Sequence, residues 1–392
     1  MRIVYLLPGG LFNPGGMERV ITIKANYLAD VLGYEVFIVT TEQMGQAVFY
    51  PLSTRVHLCH LDIHISKNFG KENYIRKLIS RFFKIKEYKR KVSGLLKEIH
   101  PDITITTLGG LDIEFINDLK DGSIKVGELH FQKTFRRIQT RKMHRSFFPR
   151  LVGEIITAGF IRNCKKLKRL VVLTEEEKSF WDDARNIVVI SNPLSFISEK
   201  NSTTKNKQAI AVGRLVYEKG FDMLIEAWKI VAGKHPDWKL DIFGNGIQKN
   251  ALLQLIAENG LEDQVKIHEP VKEIQNVYPD YSMSILSSRY MEALPMVLLE
   301  SMVCGVSLVA FDAPCGPKDV IEDGKNGFLV KTGDIAALAE KIVRLIESPD
   351  LRKTMGNTAK EMSMNYQVEK IMSRWDQLFK ELMNEKDSNI GN

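Results

Sequence analysis

The feature that most narrows what this chain can fold into is a pattern that occurs twice. A short apolar strand runs into a glycine-containing loop, an amphipathic helix and then a second strand. It opens the chain as "RIVYLL" (2–7), "GGMERVITIKANYLADVLG" and "EVFIVTT" (35–41). It restarts at "QAIAVGRL" (208–215), followed by "GFDMLIEAWKIVAGKHP" and "WKLDIFGNG". A strand that returns to its neighbour through a helix pairs in parallel, so the order specifies α/β folding with doubly wound parallel sheets. Further strands are read at "DITITTL" (102–108), "IKVGELH" (124–130), "RLVVLT" (169–174) and "IVVISNP" (187–193), then at "QVKIHE", "YSMSILSS" and "VSLVAFD".

A chain of 392 residues exceeds one ordinary core. The expected division is an N-terminal domain over 1–193, a polar linker "LSFISEKNSTTKNK" (194–207) and a second domain over 208–364. Residues 365–392 form a last helix, packing back across both domains, and a frayed tail. Sheets of this kind bind ligands beyond the carboxyl ends of their strands, so both sets of loops are expected to face a central cleft.

The net charge of +7 is regional. Residues 66–100 carry 11 Lys/Arg against 3 Asp/Glu, and residues 131–150, "FQKTFRRIQTRKMHRSFFPR", carry 7 basic residues and no acid. Both runs are interleaved with apolar residues. A solvated helix face explains one such run, whereas two favour an anionic membrane surface or an anionic acceptor. Nucleic acid suits the charge too, but no nucleic-acid motif accompanies it. Cys59, Cys164, Cys304 and Cys315 show no C-x-x-C spacing and read as buried thiols of a reducing compartment. No apolar run reaches the roughly 18 residues that a spanning helix needs. The expectation is a cytoplasmic protein, peripheral at most to the inner face of a membrane.

Three segments carry candidate chemistry. In "PGGMERV" (14–20) adjacent glycines open a helix, where free N–H groups favour phosphate; a merely tight turn is the alternative. In "VGRLVYEKGFDMLIEAW" (212–228) Arg214 and Lys219 stand around the loop that leaves a strand. Together they neutralise a diphosphate, or Lys219 simply solvates a turn. In "YMEALPMVLLESMVCG" (290–305) Pro295 suits the first turn of a helix that Gly305 stops. The N–H groups of Leu294, Met296 and Val297 are then open to an anion, Glu300 lies a turn further in, and Glu292 lies in the loop ahead. That order fits a nucleotide diphosphate sugar running past the helix tip; two surface glutamates on an amphipathic helix are the plain alternative.

"GRLVYEKGFDMLIEAW", the spacing of "EALPMVLLESMVCG" and "CGPKDVIEDGKNGFLV" together resemble the retaining GT-B glycosyltransferases of family 4. The resemblance runs from residue 1 to about 380 and is strongest over 208–335. It implies two Rossmann-like domains, the first for the acceptor and the second for a nucleotide-sugar donor. It also implies Glu292 and Glu300 as the E-x7-E pair, Arg214 and Lys219 on the diphosphate, Gly16 as a backbone contact on the phosphate side, and His130, ending "VGELH", beside the donor sugar. One histidine among eight would otherwise be read as structural. The chain departs from the family pattern at Ala293 and Leu294, where Gly and an aromatic commonly follow the first acid. It departs again at Glu269 and Pro270, in the loop expected to meet the base.

The resemblance further implies transfer with retention at the anomeric carbon, the leaving phosphate taking the acceptor proton. The "CGPKDVI" segment resembles members that use UDP-hexoses or UDP-N-acetylhexosamines, with GDP-mannose second. The expected partners are that donor, a carbohydrate or lipid-linked saccharide acceptor and an anionic membrane surface, with no nucleic acid and no cofactor beyond the co-substrate. The acids "DIE" (112–114) and "WDD" (181–183) read as ordinary surface groups, so no metal is expected. Surface polysaccharide or lipopolysaccharide synthesis is the expected setting. A nucleotide-sugar epimerase of the same fold and a non-catalytic nucleotide-sugar-binding subunit are the alternatives. A dehydrogenase lacks its G-x-G-x-x-G fingerprint in either half.

Overall fold

The structure, a computed structural model, describes residues 1–63, 74–133, 147–181, 184–290 and 292–390. The chain forms two compact units, Met1–Pro193 with Val368–Asn392, and Leu194–Gln367. Each is built on a wholly parallel sheet.

In the first unit the strands are β1 Arg2–Leu7, β2 Glu35–Thr40, β3 Val56–His60, β4 Ile103–Thr106, β5 Ile124–Glu128, β6 Arg169–Val172 and β7 Ile187–Val189. Their spatial order is β3-β2-β1-β4-β5-β6-β7. The central strand β1 is buried on both faces, which is why its sequence is an unbroken apolar run. Ile3, Tyr5 and Leu7 point to one face and Val4 and Leu6 to the other, following the two-residue period of a strand. The first face is covered by the helix Gly16–Asp30 and by the C-terminal helix Val368–Ile390, which contributes Trp375, Phe379 and Leu382 to the core. The second face is covered by Tyr88, Val92 and Leu96 of the helix Tyr74–Ile99, and by Phe160 and Cys164 of the helix Phe147–Lys166.

The second unit carries β8 Gln208–Val212, β9 Lys239–Phe243, β10 Val265–His268, β11 Met283–Leu286, β12 Ser307–Phe311 and β13 Gly327–Val330, in the order β10-β9-β8-β11-β12-β13. The helix Phe221–Lys234 and the helix Ile335–Glu347 bury Trp228, Val231, Leu338 and Ile342 against this sheet. Residues 194–207 have no helix or strand, yet they are tied to the unit. Ser202 N donates to Cys304 O (2.8 Å), and the Ser202 hydroxyl donates to Tyr281 O (2.6 Å).

Two strands in this order, β3 and β13, were not expected from the sequence, and both are sheet edges. The acid Asp112, read above as a surface group, is fully buried and accepts a hydrogen bond from the Thr106 hydroxyl. Asp182 and Asp183 of the other acidic stretch lie outside the described residues. Three of the four cysteines are buried, while Cys59 on β3 is half-buried.

In both sheets the chain reverses direction across the sheet beside its first strand, between β1 and β4 and between β8 and β11. In each unit, taken by itself, the loops leaving these two strands therefore flank the place where ligands of such a sheet bind. Phe379 is fully buried on the sheet of the first unit. Phe379→Ala should lower that unit's stability by about 3–5 kcal/mol, read as an earlier urea transition of the full chain.

Candidate active site

In the second unit, the loop after β8 and the loop after β11 are stitched together before any ligand is considered. Ser287 donates through its hydroxyl to Lys219 O (2.9 Å), and Arg289 N donates to Glu218 O (2.9 Å). The Arg289 guanidinium forks onto both carboxylate oxygens of Asp222 and lies 4.2 Å above the Tyr217 ring. The turn closes on Gly220, where φ is +64° and a Cβ would stand 2.2 Å from Ser287 O. Next door, a Cβ on Gly244 would stand 1.9 Å from Gly213 O, so the turns after β8 and β9 touch backbone to backbone.

This stitching places Lys219 against Glu292. The ammonium donates to Glu292 Oε1 at 2.5 Å, and the Ser288 hydroxyl donates to the same oxygen at 2.5 Å. Glu292 is buried while Lys219 keeps a face open to solvent. An ammonium carries three donors, so Lys219 keeps capacity for an anion beyond this bond. Arg214 is exposed, and among the described residues its guanidinium makes no ion pair. Glu300 lies in the helix Met296–Val303 and is held separately: the Ser195 hydroxyl donates to its Oε1 at 2.8 Å.

Pro295 precedes that helix as its N-cap, one position before the first turn where the sequence placed it. Among the described residues no acceptor takes the N–H of Leu294, Met296 or Val297. In the loop after β10, Glu269 is already engaged by Lys249 and by Asn245, whose amide donates at 3.0 Å. The structure thus brings Lys219 and Glu292 into contact, with Arg214 on the loop before them, and keeps Glu300 apart on its own hydrogen bonds.

Gly16 and His130 belong to the first unit. Gly16 is the exposed first residue of its helix. His130 follows β5 by two residues, and its Nε2 lies 3.2 Å from Glu128 Oε1. Glu128 and Lys24 were not singled out in the sequence. Lys24 donates to both Glu128 oxygens, at 2.5 and 2.6 Å, and each side chain is 1 % exposed. Burial alone would push the Glu128 carboxyl up, but the Lys24 ammonium and the His130 ring hold it down to about 2. Burial pushes the Lys24 ammonium down, against the pull of Glu128. The signal available in sequence was a lysine inside an apolar helical stretch, "ITIKANYL", and an acid closing a buried strand.

Residues 195–362 match the family model described as glycosyl transferases group 1. An uncharacterized glycosyltransferase of Haemophilus influenzae is 29% identical over 366 residues, covering 92% of this chain and 95% of its own. The amylovoran biosynthesis glycosyltransferase AmsD of Erwinia amylovora is 28% identical over 393 residues, covering 95% and 98%. The fold is similar to that of a TarM variant from S. aureus crystallised with fondaparinux, alpha-GlcNAc-glycerol and UDP, with a TM-score of 0.78, 20% identity and coverage of 96% and 99%.

Two outcomes follow from the geometry. Gly220→Ala should cost about 1–3 kcal/mol from its left-handed backbone alone, visible as a lower melting temperature of the second unit. Glu128 has a folded pKa below its ordinary 4.5, so its contribution to stability is complete above 4.5 and is lost as pH falls toward about 2. Urea midpoints of a Lys24→Met/Glu128→Leu variant should therefore fall less steeply than those of the wild type across that window. Over residues 195–362 this chain is similar to the glycosyl transferases of group 1, and its two parallel sheets share the GT-B fold of the solved structures it resembles.

Proposed function

We propose that the protein is a retaining, metal-independent glycosyltransferase of family 4, moving a hexose or N-acetylhexosamine from a UDP-sugar to a saccharide acceptor. The observation that carries this reading is the contact of Lys219 with Glu292, beside the exposed Arg214, at the carboxyl end of β8. Arg214 and Lys219 would take the diphosphate, assisted by the N–H groups at 294–297. Glu300 would hold the ribose hydroxyls, and Glu292 the transferred sugar. In the first unit Gly16 would approach the phosphates and His130 the sugar.

In the reaction the bond from the anomeric carbon to the diphosphate breaks, and the acceptor oxygen bonds to the same face of that carbon. The acceptor's proton passes to a leaving phosphate oxygen, giving UDP and the new glycoside. The protein's share is electrostatic: two fixed cations meet the charge that develops on the diphosphate, a contribution typically worth ~3 kcal/mol per well-placed donor. The same cations do the work for which a divalent ion would otherwise be needed.

UDP as the nucleotide carrier is favoured by the UDP held in the TarM structure, and polysaccharide synthesis by the name of AmsD. We assign acceptor binding to the first unit and donor binding to the second. The acceptor is a lipid-linked or growing surface saccharide, and the enzyme works peripherally at the inner face of a membrane. No helix among the described residues is long and apolar enough to cross one. The helix Tyr74–Ile99 exposes Ile79, Phe82 and Phe83 together with Lys86 and Arg90, a surface suited to anionic headgroups. The rest of the basic sequence, 64–73 and 134–146, lies outside the described residues.

Calorimetric titration with UDP, GDP and ADP tests the donor site. UDP should bind best, and Arg214→Ala/Lys219→Ala should weaken it about a hundredfold or more, because two charge-assisted hydrogen bonds to the diphosphate are removed. Binding that survives in the variant would sink the assignment. Among UDP-glucose, UDP-galactose, UDP-N-acetylglucosamine and UDP-N-acetylgalactosamine, at least one should be hydrolysed to UDP, with the sugar released in its original anomeric form by NMR and at the same rate in EDTA.

A further inference from the structure

Lys24 occupies the middle of a helix face that otherwise meets the sheet with Val20, Ile21, Ala25 and Leu28. Its ammonium is caged. Both Glu128 oxygens accept from it, and the Trp375 ring of the C-terminal helix covers it with the centroid 3.6 Å away. The Tyr5 ring lies at 5.6 Å. Stability does not account for such a cage, because replacing a buried ion pair with apolar side chains of similar volume is often neutral or favourable. What apolar side chains would not reproduce is the contact that Glu128 makes outward, from Oε1 to His130 Nε2 at 3.2 Å.

At 3.2 Å the carboxylate lies within ion-pair reach of Nε2 without hydrogen-bond geometry, so its negative charge favours the tautomer with the proton on that nitrogen. Glu128 closes β5, and His130 follows two residues later, so the strand and the ring share one anchor. The carboxylate is itself fixed by the ammonium, and the ammonium is sealed from water by Trp375. The cage and the imidazole thus form one connected set in the first unit.

We propose that Lys24, Glu128 and Trp375 are positioning residues that lock the His130 imidazole with its proton on Nε2, presenting Nδ1 as an acceptor to a hydroxyl of the transferred sugar. The inference rests on the reading of His130 given under the proposed function. It makes the C-terminal helix part of the catalytic apparatus as well as a cover for the sheet.

The test uses the full chain labelled with 15N-histidine, with the His130 signals identified by their loss in His130→Ala. The wild type should show the Nε2–H tautomer. Lys24→Met/Glu128→Leu, which exchanges the pair for apolar volume, should show a mixture of both. A wild-type ring protonated on Nδ1, or a variant ring unchanged from wild type, overturns the lock. With the UDP-sugar that wild type hydrolyses fastest, the same variant should lose kcat by about tenfold, as should His130→Ala, the share of one hydrogen bond to a sugar hydroxyl. UDP affinity should stay within about twofold, since the variant leaves the second unit intact. Adding His130→Ala to it should cost nothing further, since the changes act through one ring. Additive losses, or full kcat in the variant, overturn the proposal. Full turnover in His130→Ala would instead remove the role of His130 itself, while the NMR still decides whether Glu128 sets the tautomer. If the double variant does not fold, Trp375→Leu keeps both charges and should loosen the ring, with Trp375→Phe restoring it; identical tautomers in all three chains would overturn the lock.

Discussion

Parallel pairing is the constraint on which the rest of this protein depends. Once β1 and β8 pair with a neighbour on each side in the same direction, every connection must cross a face of the sheet, and every carboxyl end opens on the same edge. The crossing helices bury both faces, so the central strands become largely apolar and leave no space for chemistry. Chemistry is displaced to the loops at the strand ends. Arg214 and Glu292 are loop residues, Lys219 ends a short 3-10 turn, and His130 follows its strand by two residues.

Polar groups near those loops are arranged so that each is held by something other than its ligand. Lys219 meets Glu292, Glu292 meets Ser288, and Glu300 is taken by Ser195. Arg289 is spent on Asp222 and on the Tyr217 ring, which leaves it a fastener between two loops. Side chains fixed in this way do not have to be ordered at the moment of binding, and this preorganisation is what an electrostatic site requires. Arg214 is the exception, an exposed cation on an otherwise fastened loop.

Much of this was legible in the sequence, for a physical reason in each case. Central strands announce themselves as apolar runs because both of their faces are buried, and the helices between them carry a clear amphipathic period. The edge strands β3 and β13 were hidden. β3, "VHLCH", is half-exposed and carries two histidines, and β13, "GFLV", opens on a glycine directly behind the polar run "EDGKN". Glu292 and Glu300 could be found because their spacing lies within one short segment. Glu128 and Lys24 could not be paired in the same way, being 104 positions apart and joined only by the packing of a helix over a strand. Asp112 misled for a related cause: its acceptor role toward Thr106 is set by the fold of a loop, and nothing in "DIE" discloses it.

The last helix has a consequence for how the protein is made. The first unit receives its sheet and its Lys24–Glu128 pair early in synthesis, but Trp375 and Phe379, which close one face of that sheet, emerge only after the whole second unit has been translated. On the ribosome, therefore, the second unit has all its residues before the first does. Without the final helix, Lys24 loses the Trp375 ring that covers it, and the apolar face of the sheet beside it lacks Phe379 and Leu382. The core of the first unit therefore closes only once the residues of the helix Val368–Ile390 have been translated.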